Sequence, residues 1–321
     1  MKLFFQLMLL AGMLLCMNGC SKEKNQSKTI QLENLNWTKI NDGLSINLIA
    51  VGNELFLTKQ NQVLKSTDMG TSWIKLGWPA DLSVYGGLAY SPKNNQLIIS
   101  AANNGWYHST DKGLSFKQSG PTGFNTGSAA ILPLSNGQII GAQTGNNVKG
   151  LYKSAGITPL TWSQKMTGVD FTSITKVTDD TLYACGIGAP AIVKSVDGGE
   201  SWTAVETKSH ALNYILSYQD SIMVVNRWGT ISVANRKSNI DLYAVRSTIA
   251  GNMAHFADYS STDKLLIITA AENGIYLSRD MAISFKFNSI PGVKTYIHPK
   301  IIGDYLFVNT DAGLYRAQYK F

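Results

Sequence analysis

The chain has 321 residues, a formal charge of +7, only 15% charged residues and 29 glycines. That length supports one large core, and the sparse charge excludes a disordered polyelectrolyte. Lysines are spread along the chain without a dense basic-aromatic run, so the charge reads as a solvated basic surface and not as a nucleic-acid site.

Residues 1–19 read as a signal peptide. Lys2 supplies a short positive start, and residues 3–15 form an apolar run too short to cross a bilayer as a helix. Met17-Asn18-Gly19-Cys20 then resembles a bacterial lipobox, in which cleavage before the cysteine leaves Cys20 as a lipidated N-terminus. Gly19 is the small residue that motif needs, whereas Met17 and Asn18 depart from it. The alternative is ordinary secretion with Cys20 inside the removed signal or left free. Two or more acyl chains give a stable anchor where one does not. Residues 21–29 hold no apolar side chain and, with Cys20, read as a flexible tether. The expected location is the bacterial cell envelope, at the outer membrane or cell surface, with the membrane reached through the N-terminal lipid. Cys16 falls in the removed segment, so the only other cysteine, Cys185, has no intramolecular partner and reads as a small buried apolar residue.

From residue 30 a period takes over. Short apolar strands start at Leu55, Leu97, Ile139, Leu182, Ile222, Leu265 and Leu306, at intervals of 40 to 43 residues. Each is followed by a polar turn and a further strand, as in Gly105-Trp106-Tyr107-His108 or Gly313-Leu314-Tyr315-Arg316. Seven units at so steady a spacing predict seven blades. The last hairpin runs into Phe321 without an outer strand. Residues 35–40, which include Trp37 and Ile40, look like the strand that follows each repeat turn, and are expected to supply it. The expected fold class is all-β: a seven-bladed β-propeller over residues 30–321, with the N-terminal strand completing the last blade.

A second repeat lies inside the first. It reads S-T-D-M-G-T-S-W from Ser66, S-T-D-K-G-L-S-F from Ser109, S-V-D-G-G-E-S-W from Ser195 and S-R-D-M-A-I-S-F from Ser278. Asp68, Asp111, Asp197 and Asp280 can accept backbone N–H groups of their own turn, and the glycine tolerates positive φ. Trp73 and Trp202 open the next strand and can bury a ring between blades. Blades three and five lack the pattern, having Ser154-Ala155-Gly156 and Ser232-Val233-Ala234-Asn235. The pattern resembles the Asp-box of the bacterial-neuraminidase-repeat superfamily, which includes sialidases, sortilin-type receptors and photosystem assembly-factor propellers. The resemblance implies that each box joins the third and fourth strands of a blade, away from the functional surface, and that the box residues are structural.

The opposite face is then built from the turns between second and third strands and from the connections between blades. Trp106, Arg227, Trp228, Asn104, Asn226 and Glu272 are the candidate ligand contacts there. Amides beside aromatics suit a sugar or a peptide, although asparagine also simply forms turns. A sialidase is not expected. The family clamps its substrate with three arginines, and this chain has none before Arg227, while Arg279 lies inside a box and Arg316 in the last hairpin. Tyr296 and Glu272 are the residue types of the family's nucleophile pair, but nothing else in the sequence supports that role. Metal-ligand and nucleophile motifs are missing, so no catalytic residue, metal or cofactor is assigned. His255 and His298 fall on expected inner strands facing the central channel. The expected function is a membrane-anchored, non-catalytic binding or assembly module for a protein or glycan, with no nucleic-acid partner. The alternative is a glycosidase using two carboxylates among Asp42, Asp81, Asp170, Glu272 and Asp311.

Overall fold

The computed structural model describes residues 28–59, 61–78, 84–101, 105–119, 130–144, 149–155, 161–205, 212–218, 221–235, 245–249, 255–272 and 274–321. The signal segment, Cys20, Asp81 and Asn104 lie outside them. The described chain forms seven four-stranded antiparallel sheets, each taking its strands in chain order apart from the sheet that closes the ring. The blades span 45–75, 84–118, 131–167, 170–205, 212–248 and 255–288, and the seventh joins 296–318 to Thr38–Asp42.

All seven apolar anchors fall in the second strand of their blades, among them Glu54–Lys59, Gln96–Ala101, Leu265–Ala270 and Tyr305–Thr310. None of the anchors is more than 1% exposed. A second strand has strands on both edges and neighbouring blades on both faces. It therefore reads as a continuous apolar run, and Gln96–Ala101 and Leu265–Ala270 are buried at every position. The outer strands, such as Ile74–Lys75 and Val245–Thr248, face solvent on most positions and leave no comparable mark in the sequence.

Closure occurs as the sequence implies, three residues further along than expected. Thr38–Asp42 pairs antiparallel with Gly313–Gln318, Thr38 opposite Arg316 and Asp42 opposite Gly313. A second tie lies beyond it. Ile30 bridges Lys320, and Thr29 and Phe321 exchange backbone hydrogen bonds of 3.1 Å.

The innermost strands cannot pair with one another across the axis, so side chains of the preceding blade meet their backbone groups. Ser173 Oγ donates to Ile215 O at 3.2 Å and accepts from Ile215 N at 3.3 Å. Ser217 N donates to Thr175 Oγ1 at 2.9 Å, and Ile301 N donates to Asp258 Oδ2 at 2.8 Å. In each case the partner is 42 or 43 residues away, one blade.

The four Ser-x-Asp turns join third to fourth strands and share one geometry. In the first, Ser66 Oγ donates to Asp68 Oδ1 at 2.7 Å and accepts from Gly70 N at 2.8 Å. Asp68 also accepts from Ser72 N at 2.9 Å and Ser72 Oγ at 2.6 Å. The same four bonds recur around Asp111, Asp197 and Asp280. The seventh-position serine, Ser72, Ser115, Ser201 or Ser284, is therefore as much a part of the turn as the aspartate. Gly70, Gly113 and Gly199 take φ of 86 to 89°. Ala282 stands in the glycine position with φ 64° and is fully buried against the cluster holding Tyr218 and Leu266. Its methyl burial offsets the left-handed backbone it adopts. Trp73 donates from Nε1 to Ile40 O at 2.9 Å, tying the first box to the closing strand. Trp202 packs on Ile140 of the preceding blade. The corresponding turns of blades three and five lie largely outside the described residues.

Two expectations follow. Deleting residues 30–41 should abolish the cooperative melting of the ring, measured by circular dichroism, and an unchanged melting temperature would refute the closure. The turn aspartates also predict acid sensitivity. Bonds from Ser72 hold Asp68 at about 2, and those from Ser109 and Ser115 hold Asp111 at about 2. Against burial, which pushes it up, Ser284 and Ser278 hold Asp280 at about 2. Unfolded aspartates titrate near 4, so this stabilisation is complete above about pH 4 and is lost as pH falls towards about 2. Asp197→Ala should cost about 1–2 kcal/mol at neutral pH, and its melting temperature should fall less steeply with acid than that of the wild type.

Candidate functional site

Each hairpin reverses the chain, so first-to-second and third-to-fourth turns share one end of the ring. The second-to-third turns and the connections between blades share the other. The Ser-x-Asp turns occupy the first end. The loop face opposite them holds the candidates.

The turn after the second strand of blade five is built by Asn226. Its Oδ1 accepts from Trp228 N at 2.9 Å and from Thr230 N at 2.9 Å, and Gly229 supplies a φ of 78°. This Asx-type closure sets Arg227 and Trp228 at the apex, with Trp228 58% exposed. Asn226 thus shapes the turn, and its carboxamide oxygen is committed there. Glu272 is exposed on the equivalent turn of blade six. Asn104 lies outside the described residues.

Trp106 requires a correction. It sits inside the third strand of blade two, Gly105–Ser109, and is fully buried. Its ring lies 4.1 Å from that of Trp162 and edge-on to Tyr152 at 5.7 Å, both in blade three. Gly141 leaves the space it fills, since a Cβ there would come within 2.4 Å of the indole. Trp106 is an inter-blade core residue and cannot touch a ligand on the loop face.

Among the described residues the arginines do not converge. Arg227 is on the loop face, and Arg279 is exposed in a Ser-x-Asp turn. Arg246 donates to Met281 O at 3.4 Å, while Arg316 donates to Met69 O at 2.5 Å and stacks on Tyr305. Tyr296 is buried, with its hydroxyl accepting from Ile290 N at 2.9 Å and donating to Ile290 O, so it is no exposed nucleophile. Of the proposed carboxylates, Asp42 pairs with Lys39 at 3.3 Å and Asp170 with Lys149 at 3.8 Å. Asp311 accepts from Lys294 N and Thr295 N. Cys185 is fully buried, and burial pushes its thiol well above the usual range.

A cavity of about 280 Å³ lies on the axis, with walls from all seven inner strands. Blades one to three line it with Ile46, Ile49, Leu88 and Ile131. Blades five to seven line it with Tyr214, Phe256, His298 and Lys300. Among the described residues no acidic side chain lines it, and none form a cluster able to hold a metal ion. The sequence reading reached only His298 of this group. The usable signal was polar residues interrupting inner strands, as in Asn213-Tyr214 and His298-Pro299-Lys300.

No protein-family model matches the chain, and no curated protein matches it in sequence. Among solved structures it is similar to YCF48 bound to D1 peptide, at 12% identity and a TM-score of 0.68, over 91% of this chain and 97% of that one. It is also similar to a catalytically inactive virginiamycin B lyase from Staphylococcus aureus with quinupristin, at 13% identity and a TM-score of 0.67, over 88% of this chain and 98–99% of such lyase chains. A third is the GH74 xyloglucanase from Xanthomonas campestris, at 10% identity and a TM-score of 0.63, where 87% of this chain covers 43% of that one. At these identities the likeness establishes the propeller fold and carries no chemistry across.

The two tryptophans should separate cleanly in denaturant melts. Trp106→Ala should cost about 3–5 kcal/mol through the cavity it leaves. Trp228→Ala should change stability by no more than about 0.5 kcal/mol.

Proposed function

We propose that this chain is an exported, lipid-anchored β-propeller of the Asp-box type that acts as a non-catalytic binding or assembly module for a protein or glycan. The observation that carries the reading is the Arg227–Trp228 apex. A tryptophan held 58% exposed by a rigid Asx turn, beside an exposed arginine, is a costly arrangement for a surface with no partner. Tryptophan and arginine are also the residue types that dominate binding hot spots. That the similar YCF48 structure is bound to a peptide supports a protein partner.

The anchor and the apex fit together. Thr38 begins the closing strand at the end of the ring that carries the Ser-x-Asp turns, so Lys28 leaves from that end. Cys20 precedes Lys28 by eight residues, at most about 28 Å of extended chain. A lipid on Cys20 would therefore hold the Ser-x-Asp face towards the membrane and present the Arg227–Trp228 face away from it. Among the described residues the hydrolase alternative gains nothing from the carboxylates: Asp42 and Asp170 are ion-paired, Asp311 holds the Lys294–Thr295 backbone, and Glu272 is exposed on a turn.

The test is a pull-down and glycan array with the full chain beside Trp228→Ala. Partners retained by the wild type should be lost by the variant at unchanged melting temperature, and retention by both would remove the apex from the site. Incorporation of labelled palmitate into the wild type and its loss in Cys20→Ala would support the anchor.

A further inference from the structure

We propose that the axial cavity is a second binding site, separate from the Arg227–Trp228 apex, for one uncharged sugar ring. The claim stands on the polar groups that the fold leaves open there, and it does not depend on the reading above.

Several cavity groups are already used. Thr172 Oγ1 donates to Asn213 O at 3.0 Å, and Ser173 Oγ is bonded to both backbone groups of Ile215. Three others are not. The Tyr214 hydroxyl, the His298 imidazole and the Asn47 amide make no hydrogen bond to any described residue, and all three line the cavity. Beside them the Lys300 ammonium is ion-paired with Asp258 at 3.7 Å. These groups lie deep in the ring, yet the Lys300 side chain is 30% accessible, because the cavity itself reaches it. Open donors and acceptors from three blades facing one cavity are costly unless water or a ligand meets them.

The wall beside them is aromatic. Tyr214, Phe256 and His298 come from three successive blades, with centroids 6.2 and 4.0 Å apart. Local irregularity places two of them. The inner strands of blades five and seven slip register between Leu212 and Tyr214 and between Ile297 and Pro299, and the strand of blade one slips between Ser45 and Asn47. An extra residue in a strand re-aims the side chains around it. Each of these bulges sits beside or at one of the open groups.

Charge then narrows the ligand. Asp258 keeps the Lys300 ammonium charged, and the two cancel. Burial and the nearby Lys300 hold the His298 imidazole down at about 3, so it is neutral at physiological pH and offers an acceptor. Burial pushes the Tyr214 phenol up, so it remains a neutral donor. An ion entering this balanced site would leave one charge without a counterpart. A wholly apolar ligand would strand the donors. A pyranose meets both limits: its C–H face lies on the aromatic arc, and each hydroxyl both donates and accepts. The volume suits one ring, being at the lower end of small-molecule sites.

Isothermal titration of the purified full chain with glucose, galactose and N-acetylglucosamine tests the site. At least one should bind saturably. Tyr214→Phe removes a hydroxyl that makes no hydrogen bond to a described residue, and should weaken that binding about tenfold at unchanged melting temperature. Lys300→Met should also weaken it, with some loss of stability from the stranded Asp258 carboxylate, and Trp228→Ala should not weaken it. A trisaccharide of the bound sugar separates the two sources: comparable affinity means the terminal unit of a glycan enters, and lost affinity means free sugar only. No saturable binding with any of the three sugars, binding unaffected by Tyr214→Phe, or binding lost only in Trp228→Ala would overturn the proposal. If Lys300→Met does not fold, Tyr214→Phe decides alone.

Discussion

The pairing of Thr38–Asp42 with Gly313–Gln318 is the contact on which the ring depends. Every blade buries both faces against neighbours, so an open ring would leave two bare apolar sheets. Closure joins Leu48, Leu55 and Leu57 of blade one to Phe307 and Leu314 of blade seven, with Ile40 of the closing strand against them. The terminal segments reinforce it. Lys320 pairs with Asp263 at 2.5 Å, Tyr319 donates to the same carboxylate, and Lys28 pairs with Asp304. Chain ends nearly 300 residues apart are thereby held in one sheet, and the cost of that long closure grows only slowly with length.

A closed ring creates a problem at its centre. Seven inner strands face an axis where they cannot pair. The chain meets this in two ways. Hydroxyls and a carboxylate reach across from the preceding blade, as Ser173, Thr175 and Asp258 do. Elsewhere bulges break the register and turn side chains towards the axis. The first device is purely structural. The inner strands of blades one, two, four, five and seven carry such a slip, and in blades one, five and seven it stands beside Asn47, Tyr214 and His298, whose side chains make no hydrogen bond to a described residue. On a scaffold of repeated blades, that inequality around the axis marks where binding is expected.

The repeated turns show the reverse. Strongly lowered aspartate pKa values are often a sign of a functional site. Here they follow from eight serines, two placed identically around each of four aspartates, and the groups hold hairpins closed. Tryptophan gives a similar lesson. Trp106 and Trp228 belong to one residue type and both follow second strands. One is a core knob facing Gly141, and the other is an exposed apex, because only the second sits within a turn closed by its own asparagine.

Much of the architecture was legible in the residues themselves. Doubly buried second strands write an apolar run every 40 to 43 residues, so blade number, strand position and closure could be read directly. The Ser-x-Asp turns were legible because their bonds are local, within four residues along the chain. The site was not. Burial of Trp106 depends on a blade some 35 residues away in sequence. The axial groups come from strands roughly one blade apart, brought together by bulges that leave no pattern in composition or period. Local physics determined the blades and turns from sequence, whereas only the closed ring, by setting side chains of distant segments face to face, decided which of them remain open to a ligand.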